Sequence, residues 1–208
     1  MDDHRAIASA STACVFNYLT GEIIQSFKQA SGHLTEDGQN FFLIKGDDRM
    51  PWASKSMTLT QVNLPTGEVT ELGKRELKRP TGGQSGLIPG GRYFYIGHPG
   101  MFIYNLQTLE LVAEKTFKGS DLLHTIFSPD GSQYVVLTSG RLFFNGQFPD
   151  HDAEKHGIIR LHDTLSGKLL WAALTPSRRM SDPFFSPDGQ RLGSVADDGT
   201  ILVWDVEE

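Results

Sequence analysis

Residues 184–205, with the sequence FFSPDGQRLGSVADDGTILVWD, decide the fold of this chain. The Ser-Pro-Asp-Gly motif at 186–189 matches a type I turn, because proline at its second position presets φ and glycine at its fourth accepts a positive φ. Asp198-Gly199 is a second signal for a tight turn between antiparallel strands. The stretch therefore predicts three short strands, of which the last is the apolar run 201–204. Because that run has no polar alternation, we expect both of its faces to be covered.

Weaker copies of this unit occur along the whole chain. Each copy has an apolar strand that ends in a marker residue, Asp or Asn: Asn17, Asn63, Asn105, Asp163 and Asp205. The markers are 46, 42, 58 and 42 residues apart, and two of these steps lie within the ~40–45 residues of a four-stranded unit. A short hairpin follows the first four markers, and earlier copies of the first turn occur at 36–38, 89–91 and 128–131. The repeat predicts a single array of small antiparallel sheets.

Short strands with tight turns that end in Trp-Asp resemble one blade of a WD-repeat β-propeller. The resemblance is strongest at 184–205, clear in FSPDG at 127–131 and IIRLHDTLSGKLLW at 158–171, and elsewhere lies mainly in the spacing. It implies an all-β, WD-repeat-like β-propeller of about five blades. The predicted blades span about residues 1–28, 29–75, 80–117, 120–174 and 180–208.

The first and last of these blades are predicted to be incomplete. Strand counting gives three strands in blade one, four in each of the next three blades, and three in blade five. The absent strands are the innermost of blade one and the outermost of blade five, which do not simply complement each other. We therefore expect a partial propeller with a bare face on each end blade. A missing propeller segment, self-association, or closure into a five-bladed ring would cover these faces.

The family resemblance also implies structural roles in the last blade. WD-repeat blades are often braced by a hydrogen-bonded set that includes a Gly-His pair, a Ser or Thr on the second strand, the Trp, and an Asp in the tight turn. Ser194, Trp204 and Asp198 match three of these places, and Asp205 completes the Trp-Asp pair, but no His precedes Phe184 at the required distance. We expect Trp204 to be buried between neighbouring blades.

Two long insertions interrupt the repeat, at 46–55 in blade two and 139–157 in blade four, each between the second and third strands. In a propeller these connections emerge on one face, and long loops on a rigid scaffold commonly carry function. Aromatic residues, Met and Arg are enriched at protein interfaces, whereas packing of these side chains on their own blades is the alternative. The predicted partner-binding residues are Arg49, Met50, Trp52, Phe143, Phe144, Phe148, His151 and His156.

Other motifs indicate turns or solvated segments. Two His and three carboxylates at 150–156 could gather a divalent ion, but their spacing matches no known metal signature, and an exposed loop is the alternative. The basic run 74–80 is predicted to be a solvated connector, and the glycine-rich 81–86 lacks the ending of a phosphate loop. No esterase elbow, zinc-protease or paired-cysteine motif is present. We expect no catalytic residue, no cofactor and no metal.

Composition narrows the class of partner. A formal net charge of −6 argues against a general affinity for nucleic acid, and no apolar window has the length of a membrane span. Cys14 is the one cysteine, the first residues do not resemble a signal peptide, and we therefore expect a cytoplasmic protein. We predict a non-catalytic scaffold that binds other proteins or peptides through the face loops. The alternative is a sensor or accessory propeller segment of a larger, enzymatic, multidomain protein.

Overall fold

The computed structural model describes residues 5–9, 12–17, 19–28, 30–46, 54–81, 85–97, 100–116, 122–139, 157–175, 180–196 and 198–206. Regular structure in these residues consists of β-strands that form five antiparallel sheets. In chain order the sheets have three, four, four, four and three strands, which confirms the predicted strand count of every blade. The fold is an all-β β-propeller of about five blades, and the first and last of these have three strands among the described residues.

The strands of each blade follow one another in chain order and pair with their sequence neighbours. Blade one contains β1 (Arg5–Ser9), β2 (Thr12–Asn17) and β3 (Ile23–Lys28). Blade two contains β4 (Ala30–Leu34), β5 (Asn40–Gly46), β6 (Ser54–Asn63) and β7 (Val69–Thr81). Blade three contains β8 (Ser85–Leu87), β9 (Tyr93–Gly97), β10 (Gly100–Asn105) and β11 (Leu111–Thr116). Blade four contains β12 (Leu122–Phe127), β13 (Gln133–Ser139), β14 (Gly157–Asp163) and β15 (Leu169–Leu174). Blade five contains β16 (Met180–Phe185), β17 (Arg191–Ala196) and β18 (Ile201–Asp205).

The chain divides into two compact units. The first comprises Met1–Leu87, Gly91–Ile96 and Asn105–Glu110, and the second comprises Ile88–Gly90, Gly97–Tyr104 and Leu111–Glu208. In the first unit, Ala13 and Val15 of β2 pack against a face of blade two that carries Phe41, Leu43 and Val62. Alternate residues of a strand point to the same face of the sheet. The contact between the two blades then buries the side chains on that shared face.

Blade four and blade five share the apolar core of the second unit. Val135 and Leu137 of β13, with Ile159 and Leu161 of β14, pack against blade five. From blade five, Leu192 and Ala196 complete the buried set, and Leu202 and Trp204 are partly buried against it. The intervening residues of β13, Tyr134 and Val136, are also buried. A strand whose two faces are both covered accounts for the unbroken apolar run at 134–137.

In blade five, the structure differs from the predicted coverage of the 201–204 run and from the predicted full burial of Trp204. Leu202 and Trp204 are half-buried, but Ile201 and Val203 on the opposite face of β18 are exposed. The expectation that both faces of the 201–204 run are covered was therefore wrong, because blade four packs on one face only. Trp204 does lie against the neighbouring blade, although its burial is partial.

The basic run at 74–80 corrects a further prediction. It lies within β7 and is not a connector, because the hairpin of β6 and β7 extends through the pairs Met57↔Arg75 and Ser54↔Thr81. β7 is the edge strand of its sheet, and an edge strand accommodates exposed charged residues such as Lys74 and Arg75.

Candidate functional site

Two turns of identical construction lie at the same end of blades four and five. In blade four, the Ser128 hydroxyl donates to Asp130 Oδ1 at 2.6 Å and accepts the backbone N–H of Gln133 at 3.0 Å. In blade five, Ser186 makes the same pair of bonds, with Asp188 as acceptor and the N–H of Arg191 as donor. These turns confirm the geometry predicted from the two Ser-Pro-Asp-Gly motifs.

The hydrogen bonds of the turns also fix the charge of their carboxylates. The hydroxyl of Ser128 and the N–H of Ser132 lower the pKa of Asp130. The hydroxyl of Ser186 and the N–H of Gln190 lower the pKa of Asp188. Donors that bind a carboxylate favour its ionised form. Both turns therefore hold a negative charge in a defined position at neutral pH.

The hairpin that follows each of the first four markers is built around the marker side chain. In blade four, Asp163 Oδ1 accepts the N–H of Ser166 at 2.8 Å and its hydroxyl at 2.6 Å. Asn17, Asn63 and Asn105 accept the corresponding N–H three residues on. The prediction of one hairpin used four times is confirmed. Lys168, at the end of the blade-four hairpin, lines the same groove as the turn at 128–131.

A groove of about 880 Å³ lies between these elements of blades four and five. Leu161, Trp171 and Val206 give it apolar surface, while Asp130, Lys168 and Asp188 contribute charged groups. Further lining residues are Ser128, Pro129, Ser132, Gln133, Leu169, Leu170, Pro187, Gly189 and Gln190. Apolar surface beside a few fixed polar groups is typical of a ligand site.

The groove lies at the opposite end of blade four from the strand ends Ser139 and Gly157. Ser139 pairs with Gly157 where the insertion leaves the sheet, and Gln133 pairs with Asp163 at the other end of the same two strands. Gln133 lines the groove. The groove is therefore separated from Ser139 and Gly157 by the length of β13.

Tyr134 and His162 form a stacked pair inside the second unit, with ring centroids 5.1 Å apart. Burial lowers the pKa of His162 to about 4, and its Nδ1 donates to the carbonyl oxygen of Gly167 at 3.2 Å. Burial, with the nearby charge of Asp163, raises the pKa of Tyr134. Both rings are neutral at pH 7, so the pair contributes packing and no charge.

The structural residues predicted in blade five occupy separate positions. Ser194 is buried in β17, and Asp198 Oδ1 accepts the N–H of Thr200 at 2.9 Å in the following turn. Trp204 makes an edge contact with Trp171, with ring centroids 5.7 Å apart. Asp205 Oδ1 lies 3.4 Å from Arg191 Nε. Their membership of a bracing set stays a prediction.

The predicted partner-binding residues lie outside the part of the chain that the structure describes. This applies to Arg49, Met50 and Trp52 of the first insertion, to all five candidates of the second, and to the metal-site candidate at 150–156. Among the described residues, no group of three or more His, Cys, Asp or Glu is arranged to hold a metal ion. Nor do the described residues include a helix with the length and apolar character needed to cross a membrane.

Comparison with known proteins supports the fold. The chain is similar to the crystal structure of the Cps50 (Swd1) β-propeller domain of Myceliophteria thermophila, with a TM-score of 0.63 and 11% sequence identity. The match covers 99% of this chain and 63% of that one. No protein-family model and no curated protein matches the sequence. The similarity therefore establishes a β-propeller fold.

The groove was not predicted from the sequence, although its parts were. The recurrence of Ser-Pro-Asp-Gly at 128–131 and 186–189 predicts two equivalent turns. Their equivalence places both at the same end of adjacent blades, and the space between them is the groove. The signal was therefore the repetition of the motif and not any single residue.

Proposed function

We propose that this protein is a non-catalytic WD-repeat scaffold that binds other proteins or peptides. The groove between blades four and five carries this proposal. Its carboxylates, Asp130 and Asp188, are held by hydrogen bonds within short turns. They therefore need little ordering when a ligand binds, and preorganisation of this kind lowers the cost of association. The propeller fold of the similar structure agrees with such a role.

The ligand that matches the groove is an extended polypeptide with both apolar and charged side chains. Leu170, which is 40% exposed, offers apolar surface beside Trp171. Asp130 and Asp188 can accept hydrogen bonds from Lys or Arg side chains, and Lys168 can bind a carboxylate. The two fixed carboxylates, with Lys168 beside them, would select the register of a bound segment.

We propose the two insertions as a second contact surface. In blade four, β13 and β14 stay paired up to Ser139 and Gly157, so both attachment points of the insertion belong to one hairpin. Its Phe143, Phe144 and Phe148 are the aromatic anchors that the sequence offers there. The cytoplasmic location and the alternative role as a segment of a larger enzyme stay predictions.

A pull-down followed by affinity measurement on each verified partner tests this function. The groove variant is Leu170→Glu, which places an unpaired carboxylate in the apolar part of the groove. Its matched control is Val112→Glu, because Val112 occupies the equivalent position of β11, is 42% exposed, and does not line the groove. The insertion variant replaces residues 140–156 with a two-residue Asp-Gly turn.

We expect Leu170→Glu to weaken a groove-bound partner by at least about tenfold, the effect of losing ~1.4 kcal/mol. The Val112→Glu control should leave affinity nearly unchanged. A partner of the insertions should be lost only when 140–156 is replaced. Circular dichroism must show the same strand content for all variants. Unchanged affinity of every verified partner in both the groove and insertion variants would contradict the proposal.

A further inference from the structure

The edge strand β7 of blade two is the longest of the described strands, and its outer side has no strand partner among the described residues. It spans 13 residues and pairs with β6 alone. An edge strand presents a row of backbone N–H and C=O groups with which another strand can pair. The side chains along the edge then decide which segment can pair there.

Two irregularities limit the stretch of β7 that is available for pairing. The register with β6 shifts between Leu59 and Thr60 and again between Ser54 and Ser56. Between these shifts, residues 73–76 pair one by one with residues 56–59. Because a bulge bends a strand and interrupts its pairing, an added strand would be regular only along this stretch. The edge therefore suits a short segment better than a long strand of another sheet.

The charge of this part of blade two is opposite to that of the whole chain. Residues 54–58 and 73–79 contain five basic residues and one acidic residue, for a local net charge of +4, whereas the chain as a whole carries −6. Lys74 and Arg75 are exposed, and among the described residues no carboxylate forms an ion pair with either of them. Both cations are therefore available to an acidic ligand.

The pleat of β7 determines which acidic sequence matches these cations. Successive side chains of a strand point to opposite faces of the sheet, so Lys74 and Arg75 lie on different faces. A strand that pairs with β7 places its own side chains directly opposite, on the same faces, with Cβ atoms ~4.5–5.5 Å apart. Two consecutive acidic residues would therefore bring one carboxylate to each cation. A basic or neutral residue opposite Glu76 avoids the repulsion of like charges.

We propose that the edge of β7 at 73–76 is a docking surface for a short acidic segment of another protein, which adds to blade two as a fifth strand. Main-chain hydrogen bonds supply the pairing, and the charges supply the selectivity. A segment without acidic residues would remove water from Lys74 and Arg75 without replacing it, which is costly for a charged group. Consecutive carboxylates replace that water with charge-assisted hydrogen bonds.

This surface is separate from the groove of blades four and five. β7 belongs to the first compact unit, whereas the residues that line the groove belong to the second. Binding at β7 is therefore measured without reference to the groove, and failure of either proposal leaves the other standing.

An NMR titration of the isotope-labelled chain with synthetic peptides tests the proposal. The probe is Thr-Thr-Lys-Glu-Glu-Thr-Thr with blocked ends, whose Lys lies opposite Glu76 in antiparallel pairing. We expect saturable shifts of the backbone amide signals of 73–76, and weaker binding as salt is added. The same peptide with N-methyl groups on both Glu residues keeps its charge but loses two backbone donors. It should bind at least about fivefold more weakly.

Charge reversal on β7 identifies the cations that hold the peptide. Arg75→Glu and Lys74→Glu should each weaken binding of the unmethylated peptide by at least about fivefold, because each change removes an attraction and adds a repulsion. The matched control is Arg92→Glu, since Arg92 is exposed, lies outside β7 and gives the same change in net charge. This control should bind the peptide as the unchanged chain does. Circular dichroism must show the same strand content for all variants.

Three results would overturn the proposal. Absence of shifts at 73–76 with millimolar peptide at low salt would show that the edge accepts no acidic strand. Equal binding of the N-methylated peptide would show that charge alone holds the ligand, without strand pairing. Displacement of the peptide from 73–76 by an oligothymidylate at the same concentration of charge would identify a general polyanion surface instead of one for an acidic protein segment.

Discussion

Removal of the Trp204 side chain tests whether the contact between blades four and five stabilises the fold. Complete truncation of a large core aromatic costs about 3–5 kcal/mol. Trp204 is only half-buried, so we expect Trp204→Ala to cost about 2–3 kcal/mol of unfolding free energy. Val203→Ala, on the exposed face of the same strand, should cost less than about 0.5 kcal/mol.

The edge contact with Trp171 supplies a separable part of that cost. Aromatic pairs in this geometry contribute about 0.5–1.5 kcal/mol beyond the area that they bury. A double-mutant cycle of Trp204→Ala, Trp171→Ala and the double variant should give a coupling energy in that range. Urea titrations with linear extrapolation measure each corner of the cycle, and similar m-values are required for the comparison.

Two results would refute this reasoning. Additive effects of the two substitutions would show that the rings do not interact in solution. Equal losses for Trp204→Ala and Val203→Ala would show that the two faces of β18 do not differ in burial. Trp204→Phe provides the intermediate case, because it keeps an aromatic ring and should retain part of the coupling.

Three further predictions concern titration, turn chemistry and glycine. Burial lowers the pKa of His162 to about 4, whereas in the unfolded chain this side chain takes up its proton near pH 6.5. The free energy of unfolding should therefore be unaffected by His162 above pH 6.5 and fall by up to about 3 kcal/mol towards pH 4. His162→Asn should show a shallower decline, and NMR titration of the unchanged chain should give a low imidazole pKa. Asp163→Ala removes two hydrogen bonds and should cost about 1–2 kcal/mol, whereas Asp205→Ala, which removes an exposed ion pair, should cost under about 1 kcal/mol in the same urea titration. Gly189→Ala should cost about 1–2 kcal/mol for its φ of 74° alone, and Gly131→Ala at least about 1 kcal/mol more, because its Cβ would come within 2.4 Å of a backbone oxygen.

Each of these predictions has an outcome that contradicts it. A pH profile of the His162 variant as steep as that of the unchanged chain would assign the decline to other groups. Equal costs for the two aspartates would mean that the hairpin bonds add nothing beyond a surface pair. Equal costs for the two glycines would show that the turn of blade four relaxes freely.

The strands and turns were predictable because their determinants are local. A Ser-Pro-Asp-Gly turn or an Asp-anchored hairpin is specified within six residues, so strand ends such as Asn63, Asn105 and Asp163 follow directly from the sequence. Whether another sheet covers a given sheet face is not determined by nearby residues in the sequence. Nothing in the run 201–204 distinguishes Ile201 from Ile159 of blade four, although one is exposed and the other buried. That difference depends on whether another sheet packs on the face.

The candidate site was predictable only in part for the same reason. The sequence indicated Trp204 as a contact between blades, but its partner Trp171 lies 33 residues away in another sheet. The groove depends on two turns that are separated by a whole blade. The length of β7 was also not predicted from the sequence. Its charged residues have the composition of a loop, and they form a strand only because they pair with β6.

The charged edge of blade two limits how sheets of this protein can grow. β7 is an edge strand, with Lys74, Arg75 and Glu76 exposed in succession. An unprotected edge of this length would be a template for a strand from another molecule, as in fibrils. A strand from another molecule that paired with β7 would have to remove water from the charged groups of these residues. We expect replacement of these three residues by Thr to keep the strand, to remove this barrier and to increase aggregation in a light-scattering assay.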